Sequence, residues 1–144
     1  MEPRISLITL GVADLGRAQS FYEALGWTRS PASVAGEVAF YQAGPLALAL
    51  WARASLAADA GVASDGAGFA GIALAHNVRT KDEVDQLLAE AAAAGGVITK
   101  PAQDSPHFVG RTGYFTDPDG HLWEAAWNPG FALGPDGALT LPAG

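Results

Sequence analysis

Tyr114-Phe115-Thr116-Asp117-Pro118-Asp119-Gly120-His121-Leu122-Trp123-Glu124-Ala125-Ala126-Trp127 is the stretch from which the rest of the chain can be read. Its two aromatic-rich arms flank Asp117-Pro118-Asp119-Gly120. Proline presets φ and glycine accepts a positive φ, so the chain reverses there and the arms become antiparallel strands. Side chains alternate across a strand. Leu122, Glu124 and Ala126 therefore leave one face of the sheet, and Trp123, Ala125 and Trp127 leave the other. A carboxylate among apolar neighbours is costly unless a metal, a hydrogen-bond donor, a cation or a proton compensates it. Glu124 is accordingly the first residue to consider for function.

Composition narrows the classes. The chain has 144 residues, 49% of them hydrophobic and 16% charged, enough to bury a core as one domain spanning 1–144. A formal charge of −7 with only eight Lys and Arg residues excludes a nucleic-acid partner, because phosphate binding needs clustered cations. With no cysteine, disulfides and thiolate metal sites are ruled out. The amino-terminal run Met1-Glu2-Pro3-Arg4-Ile5 has no basic and apolar leader pattern, and no apolar run is long enough to span a bilayer. A cytoplasmic protein without a membrane partner is expected.

Taken in order, Ile5–Val12 reads as a strand, and Asp14 caps a helix carrying Leu15, Ala18, Phe21, Tyr22 and Leu25 at helical spacing up to Gly26. Glu37–Gln42 and Leu46–Trp51 form a hairpin about Ala43-Gly44-Pro45, Ala52–Ala60 a short helix, and Gly61–Gly68 a small, polar linker. The pattern restarts with a strand at Ile72–Ala75 and a helix opened by the Thr80/Glu83 capping box and closed at Gly95. Val97–Lys100 is then a strand, Pro101–Gly110 a loop, and Tyr114–Trp127 the closing hairpin. The same order thus occurs twice, at about 4–60 and 69–128, with a tail at 129–144. Residue matches support the repeat: Ile8-Thr9-Leu10 with Ile72-Ala73-Leu74, Phe40 with Phe115, and Trp51 with Trp127. Two βαβββ modules result, and neither could bury its own sheet alone.

Two motifs now acquire a family likeness: Leu10-Gly11-Val12-Ala13-Asp14-Leu15 followed by Phe21-Tyr22-Glu23-Ala24-Leu25-Gly26, and Tyr114 to Glu124 about Asp117-Pro118-Asp119-Gly120. Together they resemble the vicinal oxygen chelate superfamily of glyoxalases, bleomycin-resistance and fosfomycin-resistance proteins and extradiol dioxygenases. The resemblance covers about residues 4–128. It implies an α+β fold of two βαβββ modules forming curved mixed sheets around a cavity, assembled as a homodimer. Metal-dependent members draw ligands from the first strand and a late strand of each module, positions that fall here on Leu7, Leu48, Gly71 and Glu124. Only Glu124 can coordinate, because leucine offers no lone pair and glycine no side chain.

The reading that follows is a bleomycin-resistance-like protein holding a small apolar or aromatic molecule without metal or other cofactor. Its ligand-binding candidates are Leu7, Thr9, Phe40, Leu48, Trp51, Gly71, His107, Arg111 and Tyr114, with Glu124 the catalytic candidate if there is chemistry. The alternative is a lyase, isomerase or dioxygenase of the glyoxalase type that uses Glu124 as metal ligand or general base. Each candidate also has a plain structural reading. Glu124 can be satisfied by Tyr114, and His107 and Arg111, on the loop Ser105–Thr112, can be solvated or can bring a cation to an anionic ligand or to Glu124. His76 and His121 are expected at turns, and Trp123 and Trp127 under a helix. Nothing resembles a nucleophile elbow, a phosphate loop or a dinucleotide fingerprint.

Overall fold

The turn after Thr116 forms as its residues demand. The Gly120 amide donates to the Asp117 carbonyl at 3.0 Å, Gly120 takes φ 85, and the Asp117 side chain accepts from the amides of Asp119 and His121, each at 2.9 Å. The computed structural model from which these distances come describes residues 1, 3, 5–70 and 72–143. It divides into two compact units, Met1–Gly68 and Phe69–Gly144.

The first unit contains β1 (Leu7–Val12), α1 (Leu15–Ala24), β2 (Val38–Ala43), β3 (Leu46–Ala52) and α2 (Arg53–Ala60), with sheet order β1-β3-β2. β1 runs parallel to β3, and β2 antiparallel to it. Asp14 caps α1 by accepting from the Arg17 amide at 2.9 Å, and Gly26 with φ 93 lets the chain leave the helix. The core lies between α1 and one face of the sheet, where the rings of Tyr22 and Tyr41 meet and Phe21, Leu10, Leu48 and Leu50 are buried as well. Tyr41 sits in a ring cluster with Tyr22 and Trp27, and its hydroxyl donates to Glu23 at 3.2 Å. Burial first, and then the Glu23 charge, push the Tyr41 phenol up to about 12. Among the described residues this unit has three regular strands. Between α1 and β2 these residues form single bridges, Arg29 to Tyr41 and Val34 to Val38, in a segment broken up by Pro31 and Gly36.

The second unit is a full βαβββ module: β4 (Leu74–Asn77), α3 (Lys81–Ala93), β5 (Val97–Asp104), β6 (Arg111–Thr116) and β7 (Leu122–Trp127), in sheet order β4-β7-β6-β5. The capping box forms, Glu83 accepting from the Thr80 amide at 3.0 Å. Val84, Leu88 and Ala91 of α3 are buried, as are Phe115 and Trp123, whose rings stack with centroids 6.3 Å apart. A short β8 (Ala132–Leu133) and β9 (Leu139–Thr140) follow, tied back by Arg79, which donates to the Gly134 carbonyl at 2.8 Å.

Two elements differ from the sequence reading. β4 begins two residues later, so His76 and Asn77 belong to the strand, where they pair with Ala125 and Ala126 of β7. β5 continues through Pro101 to Asp104, leaving only 105–110 as the loop. Proline is tolerated because β5 is an edge strand and the pairing shifts register twice between Ile98 and Gln103.

Gly113 is the point of closest approach between α3 and its sheet. A Cβ there would collide with the Leu88 side chain and lie 3.2 Å from the Ala102 backbone. Gly113→Ala should therefore destabilise the protein by roughly 1–3 kcal/mol through overpacking. Urea unfolding measures this directly, and a variant with wild-type stability would show that α3 does not seat on β6 as described.

Candidate functional site

In the second unit, register assigns every side chain of the sheet to a face. Arg111, Gly113 and Phe115 pair with Trp127, Ala125 and Trp123 and share the side on which α3 packs. Thr112, Tyr114 and Thr116 pair with Ala126, Glu124 and Leu122 and share the other side. One row on that side crosses all four strands: Ala75 on β4, Glu124 on β7, Tyr114 on β6 and Lys100 on β5.

Tyr114 and Glu124 face each other within this row as register partners. Burial raises the Tyr114 pKa, and the neighbouring Glu124 raises it further. At neutral pH the phenol therefore keeps its proton and acts as a donor. A carboxylate offers roughly four lone-pair sites, so Glu124 has capacity to accept from a ligand donor. Ala75 beside it projects no more than a methyl group.

Arg111 lies on the α3 side and cannot reach across to Glu124. Its guanidinium grips Asp85 at 2.7 and 2.8 Å, and it also donates to Asp104 at 3.3 Å and to the Ala102 carbonyl at 3.3 Å. The hydrogen bond from Arg111 holds the Asp85 carboxyl below its usual range, and Lys81 chiefly does the same for Asp104. Arg111 thus clamps the irregular β5 to α3. His107 is exposed on the loop 105–110, its amide donating to the Ser105 hydroxyl at 3.1 Å.

In the first unit, Leu7, Thr9, Phe40 and Trp51 share the face away from α1, as their register partners Ala47, Ala49 and Val38 require. Leu48 does not join them. It pairs with Ile8 and Tyr41 and is 2% exposed in the core under α1. Parity puts Ala49 on the face of Thr9 instead, and alanine offers no donor either. Gly71 lies outside the described residues.

Register also corrects the internal repeat. Phe40 and Trp51 lie on the far side from α1, whereas Phe115 and Trp127, matched to them in sequence, lie on the side of α3. The structurally equivalent rows are Phe40–Ala49–Thr9 and Tyr114–Glu124–Ala75, each crossing an antiparallel and then a parallel pair. The two hairpin turns differ in length, and a one-residue slip reverses every side chain. Lys100 escaped the sequence reading because its place opposite Tyr114 depends on the bulges in β5.

The donor set does not suit the metal that family resemblance implies. Of the positions assigned to it, Glu124 alone carries a donor. Among the described residues, no group of three or more His, Asp or Glu side chains is placed to hold an ion. Nor, among these residues, is any helix long and apolar enough to cross a membrane.

Comparison with known proteins bears on the whole chain. The family described as Glyoxalase/Bleomycin resistance protein/Dioxygenase superfamily matches residues 4–125. A crystal structure of a glyoxalase-related enzyme from Fulvimarina pelagi is 42% identical, with TM-score 0.86 over 98% of this chain and 99% of that one. Lactoylglutathione lyase from Agrobacterium tumefaciens is 21% identical, with TM-score 0.66 over 88% of this chain and 95% of that one. A fosfomycin resistance protein from Listeria monocytogenes is 23% identical, with TM-score 0.67 over 89% and 95% respectively. These last two show likeness of fold alone. No curated protein matches the chain.

The neighbouring Glu124 charge predicts an effect on the Tyr114 phenol. Glu124→Gln removes the negative charge and should bring the Tyr114 pKa down toward the ordinary value of about 10. A phenol whose folded pKa is raised stabilises the fold fully below its unfolded pKa and progressively less as pH climbs above it. The alkaline loss of stability should therefore be shallower in Glu124→Gln. Ring-carbon NMR of Tyr114 reads the pKa, and an unchanged value would mean that the two groups do not interact.

Proposed function

The chain belongs to the Glyoxalase/Bleomycin resistance protein/Dioxygenase superfamily, and from that premise we propose that it binds a small, largely apolar or aromatic molecule without a metal ion. The observation that supports this is the Tyr114–Glu124 pair on the side of the second sheet away from α3. It sets a phenol beside a carboxylate, with small Ala75 next to them, at the one metal-ligand position that still carries a donor. A carboxylate there can orient a ligand hydroxyl or amide. Within the first unit, Leu7, Thr9, Phe40 and Trp51 share a face of that unit's own sheet.

A catalytic role has one specific support, the 42% identity to a protein described as a glyoxalase-related enzyme. In that case Glu124 is the general base for proton abstraction beside a carbonyl, with Tyr114 as the neighbouring donor.

A panel of small aromatic compounds tested by ligand-observed NMR decides between these readings. Binding should persist in EDTA and weaken about tenfold in Tyr114→Phe, the loss of roughly 1.4 kcal/mol expected for one hydrogen bond. Binding abolished by EDTA, or one divalent ion per chain retained through purification and released by Glu124→Ala, would overturn the metal-free reading. Turnover of a bound compound that disappears in Glu124→Gln would establish catalysis. Assembly as a homodimer is part of the same proposal. Light scattering should return twice the chain mass, and the mass of one chain would refute it.

A further inference from the structure

The row that carries Tyr114 and Glu124 ends on a cation. Lys100 of β5 is the register partner of Tyr114, as Tyr114 is of Glu124. Register partners project to the same side, so an ammonium, a phenol and a carboxylate stand on three consecutive strands. The other cations of the second unit have structural partners: Arg79 binds the Leu133, Gly134 and Pro135 carbonyls, Lys81 binds Asp104, and Arg111 binds Asp85 and Asp104. Among the described residues Lys100 has none. In a chain of net charge −7, this leaves an uncompensated positive charge in line with the site.

We propose that Lys100 selects for an anionic ligand, one carrying a carboxylate or similar anion at one end and a hydroxyl donor at the other. The inference rests on the reading that this side of the second sheet binds a small molecule. Neighbouring strands are about 4.8 Å apart, so Lys100 and Glu124, separated by the strand of Tyr114, stand roughly 10 Å apart at the backbone. An aromatic ring with para substituents fits between their side chains. Its anion meets the Lys100 ammonium, its hydroxyl donates to the free lone pairs of Glu124, and its ring lies against Tyr114. Lys100 is a specificity residue here and takes no part in bond making.

The test uses para-hydroxybenzoate and its uncharged counterpart, para-hydroxybenzamide, each titrated into wild type, Lys100→Met and Lys100→Arg. Wild type should bind the benzoate more tightly than the amide. Lys100→Met should weaken the benzoate about tenfold, the loss of one charge-assisted hydrogen bond, and change the amide by less than twofold. Lys100→Arg should keep the preference, and rising salt should erode it in wild type but not in Lys100→Met. If Lys100→Met keeps the full preference for benzoate, the proposal fails, while Tyr114→Phe still reports on the site itself. If neither compound binds, this ligand class is wrong, and the broader reading stands or falls on the aromatic panel. An amide weakened as much as the benzoate in Lys100→Met would make the lysine merely structural and would equally overturn the proposal.

Discussion

The Asp117 carboxylate accepts from the main-chain amides of Asp119 and His121, and the turn it closes sets the register of β6 against β7. At 2% exposure this carboxylate is buried, and the hydrogen bonds it accepts are what make its burial affordable. Its consequences run the length of the sheet. Phe115 falls opposite Trp123, and the stacked rings form the floor beneath α3. Gly113 falls where the helix comes closest, and Tyr114 falls opposite Glu124 on the other side. A slip of one residue would bury the carboxylate under α3 and turn the tryptophan outward, so register and site are a single constraint.

The two units use one arrangement for different chemistry. Each places a row across an antiparallel and then a parallel strand pair, Phe40–Ala49–Thr9 in the first and Tyr114–Glu124–Ala75 in the second. The first row holds an aromatic ring, a methyl group and a hydroxyl, and the second a phenol, a carboxylate and a methyl group. Backbone pairing tolerates either set, because the ladder is made by main-chain groups and leaves side chains on the face away from the helix free to vary. The two units thus repeat a scaffold while differing in the side chains it carries on that face.

Charge is distributed with similar economy. Arg111, Lys81 and Arg29 are paired to carboxylates, and Arg79 to main-chain carbonyls of the tail. Such exposed pairs add little stability individually, yet they determine geometry by holding the bulged β5 on α3 and the tail against the start of the same helix. The guanidinium fork of Arg111 suits this task because it engages both oxygens of Asp85 at once.

Local chemistry made much of this legible in the sequence. The Asp14 cap, the Thr80/Glu83 box, the glycines that end both helices and the turn at Asp117–Gly120 all act within a few residues, so the order of strands and helices followed from them, while the family came from a resemblance of motifs. Parity within β7 likewise separated Glu124 from Trp123 and Trp127. What lay beyond the sequence were relations between strands. Leu48 faces the core under α1, Arg111 turns to Asp85 on α3, and Phe40 lies on the side away from α1 while Phe115 lies on the side of α3, each a matter of face. Lys100 was passed over because two bulges in β5 bring it level with Tyr114. Secondary structure is set by short-range preference, but the face a residue presents depends on register. Register is decided only when turns, bulges and a packed helix are satisfied together in the tertiary structure.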